Sequence, residues 1–280
     1  MERLWRDVRF GLRTLVKAPL FTAAAVLSLG LGIGVNTAIF TVLNTLFLNP
    51  LPVAGVSELA AVYTVDAAQT TPFGNVLQVS YPNYRDFRDQ NTVFSSLAAY
   101  SFPTPVGLAA GGEPEQAFVE LVTGNYFSTL GVRAAAGRTI EPDDDRAPGV
   151  SPVIVLAHGA WQRRLGGAPD ILGRQVSVNG TPFTVVGIAP DGFRGVNSLF
   201  GPDGWAPTMM YRQVLPSQFV TWIDERRALA FNVAGRLKPG TSLAQAGTQM
   251  AAIAQSLESA YPLPDRPATS AAAPSSSIAT

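Results

Sequence analysis

Apolar and charged positions follow three different regimes along this chain. In the first seventeen residues, at about 100° per residue, Leu4, Trp5, Val8, Leu12, Leu15 and Val16 share one arc of a helix. Arg3, Arg6, Arg9, Arg13 and Lys17 occupy the opposite arc. This pattern predicts an amphipathic helix over 1–17 lying in a membrane surface, with Trp5, Arg6, Arg9, Arg13 and Lys17 as anchoring candidates. The basic face has two readings: it only anchors the chain against anionic lipid, or it also meets a cytoplasmic partner.

The second regime carries no charge at all. From Ala18 to Ser57 there is no Asp, Glu, Lys or Arg, and the inner run Leu20 to Leu48 predicts one transmembrane helix within 18–50. At 1.5 Å per residue that run is about 43 Å long, enough to cross a hydrocarbon core with tilt. A signal-peptide core is only about 7–15 residues, so a retained anchor is the better reading. Pro19 suits a first helical turn and disfavours helix at Ala18, which separates the interfacial helix from the spanning one. Five basic residues against Glu2 and Asp7 precede the span, which puts the N-terminus in the cytoplasm and the rest outside.

The third regime, 51–261, alternates strand and helix signals. Strands are predicted at Leu59–Val65, Phe118–Val122, Pro152–Leu156 and Leu229–Leu237. Helices are predicted from Ser80 through Tyr84, Phe87 and Arg88 toward Phe94, over Asn125–Leu130 closed by Gly131, around Trp161–Leu165, and after a Ser242/Gln245 capping box. Gln175–Val178, Asn179-Gly180 and Thr181–Ile188 form a hairpin, because Asn-Gly supplies the positive φ values of a tight turn. Pro182 points to an edge or non-bonded position in it. Local hairpins with interspersed helices predict an α+β domain. Beyond Tyr261, prolines set among Ala, Ser and Thr read as a disordered tail over 262–280.

Composition then narrows the function. Outside the span 15 basic residues face 18 acidic ones, which argues against nucleic acid as a partner. Cysteine is absent, so the fold rests on its core without disulfides. The single His158 follows an apolar strand with no Cys or carboxylate cluster and reads as a packed histidine. Asp143, Asp144 and Asp145 lack the Gly and Glu of a calcium loop and read as a solvated acidic turn. Gly30, Gly32 and Gly34 lie inside the span with no strand before them, which excludes a nucleotide loop. Gly30 and Gly34 instead form a small-xxx-small pair, and with Asn36 and Thr37 they are candidates for helix packing in lipid. Asn44 adds a further hydrogen-bonding group. No catalytic, metal or cofactor residue is expected, and no G-x-S-x-G elbow is present.

Five segments in order carry a family resemblance: MERLWRDVRFGLRTLVKAP, LGIGVNTAIF, SYPNYRDFRDQ, VTGNYFSTLGVRAAAGRTI and VLAHGAWQRRLGGAPDILGRQVSVNGTPFTVVGIAP. Over residues 1 to about 260 the chain resembles the N-terminal half-unit of a MacB/FtsX-type ABC transporter permease of the duplicated branch. The resemblance implies an α+β periplasmic core domain, divided into a porter-like part and an inserted part. It also implies an inner-membrane location, a separate cytoplasmic ABC ATPase as partner, and further permease copies or a second permease half. Family members continue into three more transmembrane helices. Here a Pro/Ser/Ala tail follows instead, so the expectation is a permease truncated after the periplasmic core. The alternative is a single-span, membrane-anchored binding or sensor module without transport.

Overall fold

The computed structural model describes residues 17–43, 53, 55–66, 76–196, 201–262 and 270–275. The chain divides into two compact units, Met1–Pro50 and Leu51–Thr280.

In the first unit, helix α1 runs over Pro19–Leu43, 25 residues without a charged side chain. Thr22 closes its first turn, its amide and hydroxyl both donating to the Ala18 carbonyl at 3.0 Å. Lys17 is exposed, and Trp5, Arg6, Arg9 and Arg13 of the expected interfacial helix lie outside the described residues. Among the described residues no helix is long and apolar enough to cross a membrane. The spanning role therefore rests on the sequence, whose uncharged run extends past α1 to Ser57.

The second unit is α+β. After a helical turn at Val56–Glu58 come β1 (Leu59–Asp66), β2 (Val76–Leu77), α2 (Tyr81–Gln90), β3 (Phe94–Ser101), β4 (Thr104–Ala109) and β5 (Glu115–Val122). Then follow α3 (Tyr126–Leu130), β6 (Ala136–Gly137), β7 (Val153–Leu156), α4 (His158–Leu165), β8 (Gln175–Val178), β9 (Thr181–Ile188) and β10 (Gly204–Pro207). The chain ends in α5 (Tyr211–Val214), β11 (Phe231–Leu237), α6 (Leu243–Ala260) and β12 (Ser270–Ser275). Strand order is β10-β7-β9-β8-β4-β5-β3-β11-β1-β12, with β2 on β1 and β6 on β9.

One additional pairing changes the architecture. Because β10 pairs with β5 as well as with β7, the strands β4, β5, β10, β7, β9 and β8 close on themselves into a small barrel. This barrel is inserted between β3 and β11, which lie side by side over Phe94–Leu237 pairings. Val106, Val119, Leu121, Ile154, Phe183 and Val185 share one buried cluster with Tyr84, Phe87, Met250 and Ile253 of α2 and α6. A second cluster, with Tyr126, Phe127, Phe193 and Trp205, fills the opposite faces of β5, β7 and β10. Burial of this kind is worth about 25 cal/mol per Å² of apolar surface and supplies the main driving force for folding.

Local signals read from the sequence recur in the atoms. Ser80 caps α2 by accepting from the Asn83 amide at 3.3 Å. Ser242 and Gln245 form a reciprocal capping box, and Ala246, Met250, Ile253 and Leu257 of α6 are buried. Asn179 (φ 49) and Gly180 (φ 82) make the tight turn between β8 and β9. Pro182 pairs only toward β8, since the pairing of β9 with β7 begins at Thr184.

Helix α2 ends earlier than expected, two strands carry no local signal, and one strand lies within the segment 262–280. Helix α2 does not continue toward Phe94: Asn91 ends it, donating through Nδ2 to the Phe87 and Arg88 carbonyls and accepting the Phe94 amide. Strands β3 and β4 went unread, because β3 is buried on both faces and shows no alternation, while β4 carries Pro105 and Gly107. Within the segment 262–280, Ser270–Ser275 forms a strand antiparallel to β1. The open edge of β1 requires only backbone donors and acceptors from such a partner, and Pro274 is tolerated on an edge.

Candidate functional site

One cluster of polar groups sits where the first turn of the second unit meets the sheet. Arg236, on β11, is the centre. Its Nη1 donates to Glu58 Oε2 at 2.8 Å and reaches the Gly55 carbonyl at 3.4 Å, while Nε donates to the Thr129 carbonyl of α3 at 2.9 Å. The Thr129 hydroxyl lies 2.5 Å from Ser96 on β3. Asn125 completes the seam, donating to the Leu97 carbonyl at 2.7 Å and to Ser96 at 3.2 Å. The Thr123 hydroxyl accepts the Ala99 amide at 3.0 Å. One guanidinium thus ties the Val56–Glu58 turn to β11 and α3, and through α3 to the start of the barrel.

Arg236 was not singled out in the sequence. The available signal was a lone charge in a mostly apolar strand, Phe-Asn-Val-Ala-Gly-Arg-Leu; in the structure its side chain is four-fifths buried. A charge so placed keeps its hydrogen-bond partners or costs stability.

The residues that were singled out have local structural partners. His158 Nδ1 lies 3.3 Å from Asp191 Oδ1, and its ring meets Trp161 edge-on. The acidic turn is not merely solvated. Asp143 pairs with Arg146, Asp144 takes a bidentate bond from Arg138 and caps Glu141, and Asp145 turns inward to accept the Met209 and Gly124 amides. Arg138 and the Glu141 amide hold the Asp144 carboxyl below its usual range despite partial burial. Among the described residues no group of three His, Cys, Asp or Glu side chains could hold a metal. Gly30, Gly34, Asn36 and Thr37 are exposed on α1, and a Cβ added at Gly30 or Gly34 would meet no atom within 4 Å.

The sequence profile described as the MacB-like periplasmic core domain matches residues 22–253. The chain belongs to this family. No curated protein matches it. Among solved structures, it is similar to a domain from Porphyromonas gingivalis described as that of a permease protein, with 14% identity, a TM-score of 0.57, and coverage of 80% of this chain and 92% of that one. It is also similar to the periplasmic region of MacB from Actinobacillus actinomycetemcomitans, with 13% identity, a TM-score of 0.52, and coverage of 73% and 84%. The extracellular domain of the noncanonic ABC-type transporter YknZ from Gram-positive bacteria matches with 14% identity, a TM-score of 0.50, and coverage of 72% and 94%. At these identities the shared property is the fold.

The segments that carry the resemblance to MacB/FtsX-type permeases have identifiable structural roles where they are described. Ser80–Gln90 is the capped α2, and Val122–Leu130 carries the Thr123/Asn125 seam with Tyr126 and Phe127. Arg138 clamps the acidic turn. In the described parts of these segments the named side chains pack and clasp neighbouring elements.

Proposed function

We propose that this protein is a membrane-anchored, non-catalytic permease component of a MacB/FtsX-type ABC transporter. Its periplasmic domain moves with, or contacts, substrate or partner proteins while a cytoplasmic ABC ATPase supplies the energy. The observation that carries the reading is the family match from residue 22 to 253, which begins inside the uncharged helix Pro19–Leu43 and ends within α6. In the sequence, the uncharged run from Ala18 to Ser57 is long enough to cross a bilayer as a helix. The basic residues before it place its N-terminus in the cytoplasm and the core domain outside. The partners implied are the ATPase subunit, other permease copies or a second permease half, and lipid.

In this reading the work of the domain is mechanical. Displacement enters at the Val56–Glu58 turn and passes through Arg236 to α3 and the barrel, because packed elements joined by a buried charge move as a body. Topology is tested by alkaline phosphatase fusions: active after Val65 or Gly240, inactive at Val16. The reverse pattern overturns the placement. Co-purification of the chain with a co-expressed cytoplasmic ABC ATPase, lost when α1 is deleted, tests the partnership.

A further inference from the structure

Asn179 and Gly180 form the only Asn-Gly pair in the chain, at the exposed turn between β8 and β9. Asparagine is chemically labile, and a glycine after it leaves the next backbone nitrogen unshielded by any Cβ. In deamidation the Gly180 amide gives up its proton to solvent and bonds to Asn179 Cγ, the Cγ–Nδ2 bond breaks, and ammonia leaves. Water then opens the five-membered imide at either carbonyl, giving aspartate or isoaspartate at 179. No oxidant or reductant takes part.

In the folded chain the amide that must swing is held at both ends. Asn179 Oδ1 accepts the Gly107 amide of β4 at 2.9 Å, and the Asn179 amide returns a bond to the Gly107 carbonyl at 2.9 Å. Nδ2 donates to the Gln213 carbonyl at 3.0 Å and the Val214 carbonyl at 3.3 Å, both on α5. Bonding Cγ to the Gly180 nitrogen displaces Oδ1 and Nδ2 from these partners. It also requires Cβ and that nitrogen to eclipse about the Cα–C bond, which the left-handed backbone of the tight turn (φ 49) does not allow.

Either product undoes the clamp. An aspartate carboxylate is acceptor-only, so it meets the Gln213 and Val214 carbonyls with no proton to offer. Isoaspartate routes the backbone through Cγ and lengthens a two-residue turn whose length fixes the register of β8 on β9.

We propose that Asn179 is a deamidation site gated by the fold: the closed turn is unreactive, and when the turn parts from α5 Gly180 cyclises onto Asn179 and leaves a residue that cannot restore the clamp. Modification at this position converts a transient opening between the β8–β9 turn and α5 into a permanent one. With each of the side-chain bonds worth about a fivefold population ratio, the folded chain should react about a hundredfold more slowly than an unfolded one.

Peptide mapping by mass spectrometry after incubation at one mildly alkaline pH tests this on the full chain in detergent micelles, with a synthetic peptide of sequence 175–184 as the unfolded reference. The peptide should deamidate about a hundredfold faster than the chain. Equal rates would overturn the gate. In the wild type, urea below the unfolding midpoint should raise the rate in step with hydrogen exchange of peptides covering 104–109 and 211–215. Deamidation that stays flat while those peptides exchange faster would remove opening as the control. Asn179→Asp, and the deamidated fraction of the wild type separated by ion exchange, should both show severalfold faster exchange over 211–215. Wild-type protection of that peptide in either would overturn the claim that modification keeps the clamp open.

Discussion

The Asp145 carboxylate accepts the Met209 amide at 2.7 Å, and its second oxygen accepts the Gly124 amide at 3.2 Å. One side chain of the acidic turn thereby fixes both the β5–α3 corner and the helical turn after β10. Burial raises this carboxyl from 3.8 to about 7, and the two amides offset that only partly.

A pH dependence follows, and its sign is set by the direction of that shift. The unfolded chain releases the proton near 3.8 and the folded one near 7. The contribution to stability is therefore complete below 3.8 and is lost as the pH rises through 7. Urea midpoints of the wild type should fall over this window. Asp145→Asn should flatten the fall and, by replacing one acceptor with a donor, cost roughly 1–2 kcal/mol at pH 4. Equal slopes in both proteins would remove Asp145 as the cause.

Arg236 should be worth more than an ordinary surface cation. Truncation by Arg236→Ala strips the hydrogen bonds to Glu58 and Thr129 and the packing of the aliphatic stem, for an expected loss of about 2 kcal/mol. Glu58 is more than half exposed, so Glu58→Gln should cost under about 1 kcal/mol. Chemical denaturation of both variants checks the ordering. A Glu58→Gln loss as large as that of Arg236→Ala would mean the ion pair, not the Thr129 contact, dominates.

How far the sequence revealed this fold depended on whether a signal was local. The Asn179-Gly180 turn, the Ser80 and Ser242 caps and the α6 stripe are each written within a few residues, and each has its expected form. Strand β3 was hidden because a strand buried on both faces has no period to detect. The barrel was hidden for a different reason. Its closure depends on β10 meeting β5, some 85 positions earlier in the chain, and no local pattern reports such a pairing. The Arg236 seam is long-range in the same way. Asn179 shows both cases at once: its φ was legible, whereas its side-chain bonds to Gly107, Gln213 and Val214 were not.

Asn179→Gly separates those two roles. Glycine accepts φ 49 without strain, so the turn survives while the side-chain bonds to the Gly107 amide and the Gln213 carbonyl are lost. A loss of about 1–2 kcal/mol is expected. Thermal unfolding of Asn179→Gly indistinguishable from wild type would show that the turn geometry alone matters.

Helix packing through α1 is testable in the membrane. Gly30 and Gly34 leave open space on an uncharged helix, the pattern that lets another helix approach closely. Replacing both by Ile raises hydrophobicity and should preserve insertion while reducing a crosslink from α1 to a partner helix or a second copy several-fold. An undiminished crosslink would take Gly30 and Gly34 out of the packing face and leave Asn36 and Thr37 to account for it.

The domain from Leu51 to Tyr261 should fold without α1, because its caps, tight turn, closed barrel and two buried clusters are complete within the Leu51–Thr280 unit. Purified, it should melt cooperatively, since barrel and α2/α6 layer share one apolar cluster and cannot unfold independently. It should hydrolyse no ATP above background: the sequence holds no P-loop, and His158 is engaged with Asp191 and Trp161. Two separate melting transitions would instead make the barrel an autonomous body, and displacement entering at Val56–Glu58 would then stop at Arg236 without reaching it. ATP turnover by the purified domain would contradict the non-catalytic reading directly, and with it the assignment of the energy source to a separate cytoplasmic subunit.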